Sequence, residues 1–189
     1  MKTKDRILVE SIKIITEQGI QGFSLRKLAS RLGIKAPSLY EHYKNKSAIL
    51  DALREYGAQK LSDRLLAIQE TDVWALIQQQ GMAYLDFAKE EDQLFQLFFF
   101  QMESTRPNLQ TLPTPNSPYL LLLRAFAQAV PGCPQETLEE LVLGYWSLLH
   151  GLVVLRCTHL KGFEMDWDSS GLRILQTYLS GVSHENDTK

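Results

Sequence analysis

Cysteine is scarce in this chain: of 189 residues only Cys133 and Cys157 carry thiols. Two cysteines exclude a disulfide framework, and their separation fits no metal-ligand spacing, which suits a reducing compartment. The longest apolar run, residues 119–123 with "AFAQAV" following Arg124, stops short of the roughly 18 residues that span a bilayer. No membrane partner is therefore expected. The opening "MKTKDRILVESIKIITEQG" lacks the apolar block and small-residue cleavage site of a signal peptide, so the expected location is the cytoplasm. Strand signals are nearly absent, as is any internal repeat. There is no glycine-rich phosphate loop, and His42, His150, His159 and His184 are dispersed. No serine or cysteine has a base partner readable from spacing. Cys157 and His159 sit two apart on a helical pattern, about 200° around the axis, and cannot share an ion there. The expectation is that the chain is not an enzyme and needs neither cofactor nor metal.

What is present is unevenly distributed. The formal charge of −2 conceals eleven Lys and Arg against six Asp and Glu in residues 1–56, and nine against sixteen in the remainder. A basic head on an acidic body suggests that only the head meets a polyanion. Helical periodicity predicts helices over about 4–18, 25–32, 36–43, 47–68, 72–89, 91–103, 118–130, 135–160 and 168–181. The fourth is a rod of about 33 Å at 1.5 Å per residue, capped by Ser47. The segment "STRPNLQTLPTPNSP" has four prolines and reads as a surface loop, and "SHENDTK" as a frayed tail.

Residues 24–43 carry the densest information. Ser24 offers an oxygen to the free amides of "LRKLASRL", and Gly33 supplies the positive φ that turns the chain. Leu28, Leu32, Ile34 and Leu39 share one small core, with Ala29 small enough for a helix to cross closely. Pro37 sits in the first turn of the next helix, where its missing N–H costs nothing. Lys35, Ala36, Pro37, Ser38, Tyr40, Glu41 and His42 then point outward. A helix with small residues at its amino end enters a major groove about 12 Å wide, while Lys44, Lys46, Arg26 and Lys27 hold phosphates. A rival reading is a module that grips nucleic acid without sequence preference.

"GFSLRKLASRLGIKAPSLYEHYKNKSAILDAL", residues 22–53, resembles the helix-turn-helix of the TetR-type transcriptional regulators, including L-Y-x-H-[FY]-x-x-K as Leu39, Tyr40, His42, Tyr43 and Lys46. The resemblance covers about residues 4–56. It implies an all-α protein of about nine helices: a three-helix DNA-binding head over residues 1–50, with its helix-turn-helix at 24–43, joined by a long helix to a ligand-binding and dimerisation body over 51–189. It implies a homodimer on a palindromic double-stranded operator, with repression the family habit and a small molecule the effector. Arg26, Ala36, Pro37, Ser38, Tyr40, His42 and Lys46 match positions that touch DNA in family members; Lys35 is added for its place at the helix entrance. Glu41 departs from residues that favour phosphate, leaving acceptance from a cytosine amine as its option.

In the body, "GYWSLLHGLVVLR" resembles a Trp-His-Gly pattern of one branch of these carboxyl domains, here Trp146, His150 and Gly151. The helix at 135–160 is apolar nearly all round and has a strip of small residues that includes Gly144, Ser147 and Gly151, which predicts burial against a second copy. Leu172, Leu175 and Leu179 on the following helix complete the expected four-helix interface. Tyr84, Phe87, Phe98 and Met102, with Trp146 and His150 one turn apart, are the candidate ligand pocket; plain core packing is the alternative.

Overall fold

The computed structural model describes residues 3–100 and 115–187, and among them every regular element is helical. In chain order these are α1 (Thr3–Gln18), α2 (Leu25–Leu32), α3 (Ala36–Tyr40), α4 (Lys46–Leu66), α5 (Val73–Glu90), α6 (Asp92–Phe100), α7 (Pro118–Ala129), α8 (Gln135–Cys157) and α9 (Trp167–Asp187), with a 3-10 turn at Ile20–Gly22. The chain divides into two compact units. One holds the residues up to Lys60 with those from Glu91 through α6; the other holds Leu61–Glu90 and α7 to α9.

The first unit is built around Ile7, Ile14, Ile15, Phe23, Leu28, Ala29, Leu39, Ile49 and Leu53, joined by Leu97 of α6. Sequence alone gave α6 to the body; Leu97 makes it part of the head's core instead. The local signals act as expected where they are short-range. The Ser24 hydroxyl accepts from the Lys27 amide at 3.3 Å, starting α2. Gly33 ends α2 at φ 67°, and the Ile34 amide reaches back to the Ala29 carbonyl at 3.0 Å, the six-to-one bond of a Schellman turn. That turn aims α3, which Pro37 starts and which stops at Tyr40, three residues earlier than expected. Asn45 rather than Ser47 caps α4: its side-chain oxygen accepts from the Ala48 amide at 2.9 Å.

The second unit packs α5 against α7, α8 and α9. Tyr145 lies at its centre, wholly buried, with its hydroxyl donating to the Ile77 carbonyl at 3.1 Å. Gly81 is required beside it, because any Cβ there collides with the Tyr145 hydroxyl. α8 buries Leu138, Val142, Tyr145, Leu149 and Val153. Among the described residues α8 is the one helix long and apolar enough to cross a membrane by length and composition. Core helices of globular proteins meet the same test. α9 continues to Asp187 where a frayed tail was expected, since Val182 still packs into the unit and extends the helix beyond it.

Gly33 isolates one backbone requirement, since a Cβ there meets nothing within 4 Å. Gly33→Ala should cost about 1–2 kcal/mol of stability from the left-handed backbone alone, and Gly33→Asn less. Urea unfolding of the three proteins measures it.

Candidate nucleic-acid interface

The recognition surface grows from the α2–turn–α3 hairpin of the first unit. Leu28 and Leu39 are wholly buried and Ala29 nearly so, and this closes α3 onto α2. With Leu39 facing inward, the opposite side of α3 is exposed: Lys35, Ala36, Pro37, Tyr40 and Glu41 all stand in solvent, and Ser38 and His42 are half-buried at its edge. Arg26, Lys35 and Lys44 are exposed and form no ion pair among the described residues. The surface is thus small and apolar at its amino end, with hydrogen-bonding groups beyond and cations beside it.

Lys46 is placed differently from the expected phosphate anchor. Its ammonium donates to the carbonyls of Phe23 at 2.8 Å and Ile20 at 3.3 Å, and lies 5.6 Å from the centre of the Phe23 ring. Lys27 does the same from the other side, donating to the Gly22 carbonyl at 2.8 Å and to the Gln18 side chain. Two lysines therefore satisfy the carbonyls of the connection between α1 and α2. Arg31 braces α2 on α1 through Glu17, at 2.5 and 3.0 Å, and Glu10, at 2.7 Å. Hydrogen bonding from Arg31 holds the Glu17 carboxyl below its ordinary pKa. Sequence reasoning missed this brace, although Glu10 and Glu17 sit seven apart on one face of α1 and were a readable signal.

Residues 7–53 match the pattern of bacterial regulatory proteins of the tetR family, and residues 77–177 match the tetracyclin repressor-like C-terminal domain. The chain belongs to the TetR family. It is 40% identical over 52 residues to the class C tetracycline repressor of Escherichia coli, an alignment that spans 28% of this chain and only 24% of that protein. Along nearly the whole length, 97% of this chain and 94% of the other, it is 26% identical to the uncharacterized HTH-type transcriptional regulator YobS of Bacillus subtilis. A TetR variant from Acinetobacter baumannii AYE, crystallised with minocycline, shares the fold at 19% identity, with a TM-score of 0.71 over 98% of this chain and 99% of that one.

In the second unit of this TetR-family regulator, three of the expected pocket residues come together. The Tyr84 hydroxyl lies 3.0 Å from His150 Nδ1, and Tyr84 is 4% exposed. Burial pushes the Tyr84 phenol well above its ordinary pKa, opposed by a hydrogen bond with Trp146. The indole N–H only donates, so the Tyr84 oxygen accepts from it, while the direction of its bond with His150 follows the imidazole tautomer. Burial lowers the His150 pKa, keeping the ring neutral. Phe87 is buried on the same helix beneath the Arg64 guanidinium. The Phe98 side chain and Met102 lie outside the described residues. Sequence reasoning overlooked Tyr119, whose ring is 6.0 Å from that of Trp146, and Gln80, which is 7% exposed and whose side-chain oxygen has no hydrogen-bond partner among the described residues. A glutamine four residues before Tyr84 on an apolar face was the signal.

The expected interface residues separate into two groups. Gly144 lies under the Tyr178 ring of the same chain, and Leu175 and Leu179 are buried in its own core, which corrects their assignment to a surface between subunits. Ser147 is exposed, Gly151 faces open space and Leu172 is half-buried. On α8 and α9 the uncovered large apolar groups among the described residues are Leu143 (52% exposed), Leu155 (42%) and Ile174 (36%), and Phe163 stands exposed between the two helices.

Replacing Lys46 by Met keeps its aliphatic stem and removes both carbonyl bonds. The head should lose about 1–3 kcal/mol by denaturant unfolding, whereas Lys44→Ala should leave stability intact and weaken every duplex similarly in fluorescence titrations. His150 makes a second prediction. Its folded pKa lies below the ordinary 6.5, so the unfolded chain binds more protons just below that pH. Stability is full above about pH 6.5 and declines as pH falls through it. The Tm difference between the wild type and His150→Phe should therefore shrink from about pH 7.5 to pH 5, with any constant packing cost cancelling.

Proposed function

We propose that this TetR-family regulator is a repressor that binds a palindromic operator as a homodimer and leaves it when a small molecule occupies the second unit. The observation that carries the reading is the outward face of α3, with Ala36, Pro37 and Tyr40 exposed, together with the exposed cations Arg26, Lys35 and Lys44, which form no ion pair among the described residues. Phosphates meet the cations and base edges meet the face. Similarity to proteins named tetracycline repressors supports repression.

Pairing is supported by α8. Leu143, Ser147, Gly151 and Leu155 recur every four residues on its outer side, small residues between exposed leucines, and Ile174 extends the strip on α9. A second copy turned by a two-fold axis offers the same strip in return. The effector is expected to be uncharged. Among the described residues of the second unit the buried polar side chains beyond the tyrosines are Ser62, Gln80 and Ser117, none of them ionisable at neutral pH. A charged group would meet no counter-charge among these buried side chains, the half-buried Arg64 guanidinium over Phe87 lying outside them. α4 contributes residues to both units and is the route for coupling. A coupling of about 1–3 kcal/mol changes operator affinity roughly 5- to 150-fold.

Selection from random duplexes should yield a sequence with two-fold symmetry, bound at least roughly 10³-fold more tightly than competitor DNA. Equal competition by random duplex would mean that the head grips nucleic acid without reading it. Light scattering should give the mass of two chains for the wild type and of one chain for Gly151→Arg, because an arginine there projects from open space on the strip.

A further inference from the structure

A carboxylate stands at the apex of the reading face. Glu41 directly follows α3, and its backbone remains helical at φ −65° and ψ −25°. At about 100° per residue, its side chain leaves the axis about 160° away from that of the buried Leu39 and about 40° from that of Pro37. Pro37 and Glu41 thus form the outermost line of the helix. Glu41 is exposed, and its carboxylate has no ion pair or hydrogen bond among the described residues. The cations nearby are equally unengaged: Lys35 and Lys44 are exposed and do not neutralise it.

If this face enters DNA, as proposed above, an ionised carboxylate goes with it. Phosphate oxygens repel it and present no donor. In the major groove a carboxylate finds hydrogen-bond donors only at the amines of cytosine and adenine. Adenine carries its N7 acceptor beside the amine, which opposes the second carboxylate oxygen, whereas cytosine presents its amine alone. We propose that Glu41 reads a cytosine amine in each operator half-site and sets specificity at that base pair. The same charge discourages non-specific seating, because opposite guanine or thymine it loses hydration without gaining a donor.

The inference rests on the DNA-reading function, and one experiment separates the two. Wild type, Glu41→Gln and Glu41→Ala are each put through selection from a random duplex library, then titrated on the wild-type consensus and on variants at each pair. Because Glu41 is exposed, all three should fold alike. Wild type should enrich one cytosine per half-site. Glu41→Ala should lose roughly 5- to 150-fold of discrimination at that pair alone. Glu41→Gln, whose amide matches the N6 and N7 of adenine, should move the preference there from cytosine to adenine. An unchanged motif in both variants overturns the proposal, as does a uniform gain of affinity for all duplexes, which marks a carboxylate facing phosphate. A wild type that enriches no motif overturns the function itself.

Discussion

A helix of five residues has almost no stability of its own in water, where isolated helices shorter than roughly 12–15 residues are marginal, so α3 is held in place by Leu39. That side chain is wholly buried in a core with Phe23, Leu28, Ala29, Ile49 and Leu53. Burial of one leucine contributes roughly 1.5–3 kcal/mol. Each exposed group on α3 is oriented because this one is not. The Schellman turn at Gly33 sets the entry angle, and the small Ala29 lets α2 and α3 approach.

The head divides its positive charges between two tasks. Arg31, Lys27 and Lys46 are turned onto carboxylates and carbonyls of α1 and the turn after it, where they fix the angle at which α2 is presented. Arg26, Lys35 and Lys44 remain in solvent. The first group determines where the second is held. A count of basic residues therefore overstates the charge available to a polyanion.

Much of this was legible in the sequence, and the boundary of legibility has a physical cause. The Ser24 cap, the Gly33 turn and the inward Leu28 and Leu39 depend on neighbours within a few residues, and local pattern specifies them. Lys46 bonds to carbonyls 23 and 26 residues away, which no spacing rule reveals. Leu175 and Leu179 show the other limit: periodicity marks them as buried but does not say whether their own chain or another covers them. Gly144 was read as permitting a second subunit's helix, whereas it makes room for Tyr178 of α9. In the second unit aromatic spacing grouped Tyr84 with Trp146 and His150 but did not reveal the hydrogen bonds that join them. Gln80 went unnoticed because one amide on an apolar face barely alters the pattern.

The lysine pair around the α1–α2 connection also changes what a chemical probe sees. Lys35 and Lys44 stand open to an amine-reactive reagent, whereas Lys27 and Lys46 are half-covered, with their nitrogens held against backbone oxygens. Slow acylation of those two reports an intact connection between the first two helices even with no duplex in the tube. A footprint drawn from them would map the fold and be mistaken for the outline of the nucleic acid.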